Sequence, residues 1–218
     1  MIAARNVNPM SVLTLQSLPL FPLGAVLFPG GVLQLRVFEV RYLDMIARCH
    51  KAGAPFGVVL LTEGSEVRQP GRKEAFSAVG TLATISSLDN PRAGLMMVRA
   101  TGAQRFRITA SNQLKHGLWI ADVERLPPDM PVPVPEDLKF TATALGKLIQ
   151  SLQERANAPG ELPLQGPWRL DDCGWVANRW CELLPLPVQL KQQMMELDNP
   201  LVRLELISDV LARTGIAG

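Results

Sequence analysis

Hydrophobic and polar positions change rhythm several times along the chain. From Leu13 to about Val37 the apolar residues form runs that prolines interrupt, as in Leu18-Pro-Leu-Phe-Pro-Leu-Gly-Ala-Val-Leu-Phe-Pro-Gly-Gly31. Pro19, Pro22 and Pro29 exclude a helix, because each removes an amide donor and clashes with the preceding turn. They confine the ribbon to edge-strand and turn geometry. Phe28-Pro-Gly-Gly31 is a turn signal. Leu33, Leu35 and Val37 then alternate with Gln34 and Arg36, the pattern of a half-buried strand.

The period switches to helical at Phe38. Phe38, Tyr42, Met45, Ile46 and Cys49 fall on one stripe, which predicts a helix over 38–51 that Gly53 and Pro55 terminate. Short strands follow at 56–62, 79–86, 95–101, 104–110 and 119–126, with a polar loop over 63–75 and a tight turn at Thr101-Gly102-Ala103. In Gln104-Arg-Phe-Arg-Ile108, Phe106 and Ile108 share one face and Arg105 and Arg107 the other, a solvated one. Leu126-Pro-Pro-Asp-Met-Pro-Val-Pro-Val-Pro135 holds five prolines in ten residues and reads as an extended, semi-rigid linker. Beyond it four amphipathic helices are expected. The first opens at Pro135 with the stripe Leu138, Leu145, Leu148, Ile149 and Leu152, and stops at 157–160. Asp172 caps the second. The third carries Leu190, Met194 and Leu197. The fourth starts at Asn199-Pro200 with Leu201, Leu204, Ile207 and Leu211 on one face, and ends at Gly215.

Composition narrows the classes. The 218 residues are 47% hydrophobic and 19% charged, with a formal net charge of +2. That is a globular balance, with no strong electrostatic pull toward nucleic acid or anionic membrane. No run of about 18 apolar residues predicts a membrane span. Met1 to Gln16 shows no sustained apolar segment, so no export signal is expected. Cys49, Cys173 and Cys181 are an odd number, and read as buried, reduced thiols of a cytoplasmic protein.

Candidate chemistry is sparse. His50 adjoins Cys49, which is not a metal-ligand spacing on a helix, and no CxxC occurs, so neither metal nor cofactor is expected. Gly146-Lys147 is followed by Leu148 and lies within an expected helix, unlike a phosphate loop. No GxSxG elbow is present. Glu39 stands between Arg36 and Arg41, where an ion-pair network is expected rather than an acid–base role. Trp168, Trp175 and Trp180 are assigned to the core of the helical part.

Leu18-Pro-Leu-Phe-Pro-Leu23, Val26-Leu-Phe-Pro-Gly30 and Leu33-Gln-Leu-Arg-Val-Phe-Glu-Val-Arg-Tyr42 closely resemble the opening of the amino-terminal domain of the ATP-dependent protease Lon. Phe56-Gly-Val-Val-Leu-Leu-Thr-Glu-Gly64, Val79-Gly-Thr-Leu-Ala83, Gly102-Ala-Gln-Arg-Phe-Arg-Ile108, Leu183-Leu-Pro-Leu-Pro187, Lys191-Gln-Gln-Met-Met-Glu-Leu-Asp198 and Arg203-Leu-Glu205 continue the resemblance in order. It implies an α+β fold: a PUA-like, twisted, barrel-like β part with an inserted helix over residues 1–126, a proline-rich linker over 127–135, and a helical bundle over 136–218. It also implies a non-catalytic module that holds unfolded or exposed polypeptide segments. Such a module is an expected adaptor in protein quality control, partnered by a protease or chaperone. The Walker loop and the Ser–Lys protease domain of the full protease are missing from the sequence and nothing singles out a Ser–Lys pair among its common serines and lysines, so a stand-alone binding domain is expected and no catalytic residue is carried over. The physical rationale for binding is an open sheet edge or apolar groove that accepts an extended peptide. Met96 and Met97 lie in a strand that borders such a groove in this reading, with at least one expected in the core. With Arg105 and Arg107 they are the candidate polypeptide contacts. The alternative is RNA binding by a PUA-like fold, in which Arg105 and Arg107 meet phosphates; the near-neutral charge argues against it.

Overall fold

The computed structural model describes residues 13–66, 74–156 and 162–215. Six strands and five α-helices follow one another as β1 (Thr14–Leu23), β2 (Val32–Val37), α1 (Val40–Ala52), β3 (Phe56–Glu63), β4 (Ala75–Arg92), β5 (Leu95–Gln113), β6 (Trp119–Arg125), α2 (Lys139–Arg155), α3 (Cys173–Leu183), α4 (Val188–Glu196) and α5 (Pro200–Thr214). The architecture is mixed α+β. Among the described residues no helix is long and apolar enough to cross a membrane.

The strand order is β2-β5-β4-β3-β1-β6, and β6 also pairs with β5. Five strands therefore close on themselves, and β2 hangs on the amino-terminal half of β5 as an edge. Two long strands make this possible. The first half of β5 pairs with β2, and its second half with β6. The opening ribbon is not the edge strand that its prolines predict, since it lies between β3 and β6, but each of its halves pairs on one side only. β1 pairs antiparallel with β6 as far as Leu20, then parallel with β3 from Leu20 to Leu23. A register shift falls between Leu15 and Leu18, where Ser17 takes a positive φ of 53° and its amide donates to Asp122 Oδ1 at 2.9 Å.

The expected turn at Pro29-Gly30 is present. The Gly31 amide donates to the Phe28 carbonyl at 2.9 Å, and Gly30 has φ +74°, the left-handed third position that a Pro-Gly turn of this type demands. The turn expected at Thr101-Gly102-Ala103 is absent, because β5 runs straight through it. Gly102 instead lets two backbones touch. Its amide donates to the Gly31 carbonyl, and its carbonyl accepts from the Gly30 amide, both at 2.8 Å. A Cβ there would lie 2.2 Å from the Phe28 oxygen. The true β4–β5 turn is at Gly94, with φ +74°.

Helix boundaries follow their caps. Asp172 accepts from the Trp175 amide at 2.7 Å, and Asn199 from those of Leu201 and Val202. Gly53 and Gly215 close α1 and α5 in left-handed conformation. α1 begins at Val40 rather than Phe38, and Phe38 is exposed at the end of the strand. The polar stretch expected as a loop over 63–75 includes residues 67–73, and the helix stop expected at 157–160 falls wholly on such residues; both lie outside the described residues.

The core has three parts. Tyr42, Met45, Ile46 and Cys49 of α1 join Phe21, Leu35, Val37, Phe56 and Val98 in one cluster, and Leu20, Val59, Phe106 and Val123 anchor a second. The third gathers α2–α5 around Leu145, Val176, Trp180, Leu204 and Ile207, and includes Phe28 and Val79 from the β part. The proline-rich segment is extended as expected, yet stitched down. The Val134 amide donates to the Asp171 carbonyl, and the Cys173 amide to that of Val132.

Two buried arginines fasten the helices to the sheet. Arg105 of β5 donates to the carbonyls of Met195 and Leu197, to Asp198 at 3.0 Å and to Asp129 at 3.5 Å. Arg203 of α5 donates to Asp129 at 2.6 Å, to Asn178 at 2.9 Å, and to the carbonyls of Met194 and Leu197. A third contact lies at the Pro29 turn, where buried Arg179 donates to the Pro29 carbonyl at 3.0 Å and pairs with Glu182 at 2.7 Å. Burial pushes the Glu182 carboxyl up to about 7, against the pull of Arg179 and Lys191.

Three outcomes follow from this packing. Gly102→Ala forces backbone apart and is expected to cost about 2–3 kcal/mol, lowering Tm by roughly 5–10 °C, whereas Gly94→Ala, whose Cβ meets nothing within 4 Å, costs about 1 kcal/mol. Asp129→Ala leaves two buried guanidiniums short of an anion and is expected to cost about 3–5 kcal/mol in urea unfolding, with Asp129→Asn losing less. The fold binds the Glu182 proton more tightly than the unfolded chain does. Its contribution is therefore full below the ordinary carboxyl value of 4.5 and is lost as pH rises through about 7. The stability of the wild type relative to Glu182→Gln should accordingly fall between pH 5 and pH 8, read by denaturant titration at each pH.

Candidate functional site

The edge strand β2 borders a groove of about 360 Å³, lined by Phe21 and Leu23 of β1, Gln34 to Val37 of β2, Phe38, Glu39, Tyr42 of α1, and Glu66. Side chains of a strand alternate between faces. A cavity that touches every position from Gln34 to Val37 therefore lies along the strand's edge, where every second residue turns its N–H and C=O away from the sheet. The opposite wall is also a strand end. β6 leaves β1 at Leu20, so Phe21 to Leu23 have β3 on one side only among the described strands. The groove is thus a slot between two strand edges, and α1 plugs the part of it that is not open.

Local sequence explains the slot. Leu35 and Val37 point inward and are buried, while Arg36 and Phe38 point outward, Phe38 with 56% of its surface exposed. The floor is aromatic. The rings of Phe21 and Tyr42 stack at 4.0 Å with 11° between planes, and the Arg41 guanidinium lies 4.5 Å from the Tyr42 centroid. Arg41 is buried and engaged by Glu39 at 3.2 Å, Glu74 at 3.7 Å and the Gly117 carbonyl at 2.7 Å. The ion-pair network expected around Glu39 is therefore formed with Arg41. Glu66 reaches across to accept from the Gly24 amide at 2.6 Å.

The four residues singled out from sequence do not meet at one surface. Met96 and Met97 lie across from Val37 and Arg36 of β2. Met96 packs against the α1 cluster, and Met97 is exposed. Arg107 is exposed on the second half of β5, across from Glu124 of β6. Arg105 sits on no solvated face. It is 4% exposed, because the end of α4, the turn that follows it and Asp129 cover that side of the strand. Trp180 is core, while Trp168 and Trp175 meet edge to face nearer the surface, at 6.1 Å. Sequence reasoning missed Phe38, Tyr42 and Glu66 as groove residues. The available signal was Phe38, an aromatic out of phase with the inward positions of β2.

Two further cavities of about 430 Å³ exist. One lies between residues 24–33 and the α3–α4 region with Glu182 and Lys191 on its wall, and the other beside α1 with Cys49 and His116. The first reaches only Val32 and Leu33 of β2, and the second touches no two successive strand residues. The three cysteines are free and buried, and burial pushes their thiols up, Cys181 to about 12. Thiols held in that form are poor nucleophiles.

Comparison with known proteins agrees with this architecture. A solved structure titled as a Lon N-terminal domain protein from Xanthomonas campestris is 31% identical, with a TM-score of 0.67, covering 89% of this chain and 98% of that one. The N-terminal domain of Mycobacterium avium complex Lon protease is 18% identical with a TM-score of 0.55, covering 89% and 97% respectively, and shares the fold. The Lon protease of Heliobacterium modesticaldum is 26% identical over 206 residues, which are 92% of this chain and 24% of that protein. The chain thus spans about a quarter of the length of that relative. The family described as the ATP-dependent protease La (LON) substrate-binding domain matches residues 17–213, and the chain belongs to that family.

Proposed function

We propose that this chain is a non-catalytic module that binds exposed polypeptide segments through the slot between β1 and β2, and serves as an adaptor in protein quality control. Its family supports the ligand class. The observation that carries the location is that β2 is the edge strand of the described sheet and borders an aromatic-floored groove. Unfolded chains differ from folded ones in offering both apolar side chains and unpaired backbone groups, and such a slot is complementary to both. Met97, exposed beside Arg36, extends the contact surface on β5, and Arg107 is a peripheral candidate. Arg105 is spent on holding the helices, which removes one of the two cations that an RNA-binding reading needs. In this reading residues 1–126 carry the binding surface, 127–135 act as a fastened linker, and 136–218 form a supporting helical unit.

Titration with a fluorescent, carboxymethylated and permanently unfolded lactalbumin tests the proposal. We expect saturable binding below ~100 μM, no binding to the native form of the same protein, and no new peptide fragments on prolonged incubation. Absence of binding at that concentration, or cleavage that persists through repurification, would overturn it.

A further inference from the structure

Burial in the proline-rich segment repeats every third residue. From Leu126 to Val132, Leu126, Asp129 and Val132 are partly buried, and Pro127, Pro128, Met130 and Pro131 between them are exposed. Three residues per turn is the period of a polyproline II helix, whereas a strand alternates in twos. Local chemistry imposes that geometry. Pro127, Pro128 and Pro131 fix their own φ at about −65°. A following proline holds Leu126, Pro127, Met130 and Val132 in the extended region. Asp129 alone has neither restraint, and its carboxylate is gripped by Arg105 and Arg203. Pro135, at the end of the same stretch, has φ −62° and ψ 159°.

One side of this ribbon is fastened. Leu126 and Val132 pack against the helical core. The Leu126 amide donates to the Arg105 carbonyl at 2.9 Å, its carbonyl accepts from Gln104 Nε2 at 2.7 Å, and the Val132 carbonyl accepts from the Cys173 amide at 2.8 Å. The other side is bare. Met130 is 75% exposed, more than any other large apolar side chain described. Among the described residues no donor reaches the carbonyls of Pro127, Pro128, Met130 or Pro131. A ribbon held this way offers proline rings and outward carbonyls, and has little conformational entropy left to lose on binding. Pro128-Asp-Met-Pro131 also has the P-x-x-P spacing that aromatic-lined grooves read.

We propose that the ribbon from Leu126 to Val132 is itself a ligand, docked by a partner protein whose groove is lined with aromatic side chains. Pro128 and Pro131 share one face of the ribbon, and Pro127 and Met130 share the next. In the complex these two faces seat between the partner's rings, and tyrosine or tryptophan donors on the partner bond the outward carbonyls. None of these residues lines the slot beside β2. A client held at the slot and a partner docked at the ribbon therefore occupy different surfaces, and the inference stands whether or not the slot binds polypeptide.

The test uses the full chain, carrying carbon-13 at its methionine methyls, and a panel of purified SH3, WW and EVH1 domains as probes of that groove chemistry. At least one domain is expected to bind saturably at or below ~1 mM. Its binding should move the methyl resonance of Met130, identified by its loss in Met130→Leu, and leave that of buried Met194 in place. Pro128→Ala and Pro131→Ala together should weaken the same domain at least fivefold with the far-UV spectrum unchanged, whereas Met97→Ala, at the other exposed methionine, should not. Where the proline variants unfold, Met130→Glu replaces them, at a side chain the fold does not bury, with the same expected loss. Binding by none of the domains at that concentration, binding that leaves the Met130 methyl unmoved, or wild-type affinity in the folded variants would overturn the inference. Unfolded lactalbumin that still binds in those cases leaves the broader function standing, since its surface is elsewhere.

Discussion

Two buried guanidiniums share the carboxylate of Asp129, and the arrangement of the whole chain depends on that triad. Arg105 comes from a strand, Arg203 from a helix, and Asp129 from the proline-rich segment between the two parts. A buried cation without its anion is far more costly than an exposed one, so the three segments are held to one another. The guanidiniums also solve a second problem. The last carbonyls of α4 have no partners within the helix. Those of Met194 and Met195 accept from Arg203 and Arg105. The short turn into α5 is thereby fixed against the sheet without an apolar core of its own.

β5 divides its labour along its length. Its first half supports the edge strand and the exposed Met97, and its second half carries the arginine that holds the helices. Gly102 stands where the two halves meet and brings the Pro29 turn into backbone contact. The proposed binding surface and the scaffold are therefore parts of one continuous strand, and no described residue of α2–α5 lines the slot.

Features that depend on near neighbours were legible in the sequence. The caps at Asp172 and Asn199, the left-handed closures at Gly53 and Gly215, and the Pro29-Gly30 turn were all written in local chemistry. Features that depend on what covers a face were not. Period-2 alternation correctly separated Arg105 from Phe106, but alternation cannot say whether a polar face meets water or a helix 90 residues on. Gly102 was misread for a related reason, since a glycine between strands marks either a turn or a close approach, and only the partner backbone decides. Phe38 fits the helical stripe by spacing, but Glu39 is extended and the helix starts after it. The groove combines residues from 21 to 66 that no single window contains, although its aromatic floor lies within the stretch that most resembles the Lon domain.

The strand pairing bears on how the chain is made. β1 bonds to β6, and the Ser17 amide reaches Asp122 across 105 positions. At ribosomal speeds of roughly 5–20 residues per second, the proline-punctuated leading strand emerges several seconds before its last partner exists. During that interval Leu18, Leu20 and Phe21 lack the partners that bury them in the finished fold. The prolines spaced through this ribbon each withhold an amide hydrogen and so weaken its pairing with strands of other chains. The same residues that shape the finished wall of the slot thus act earlier as protection against aggregation.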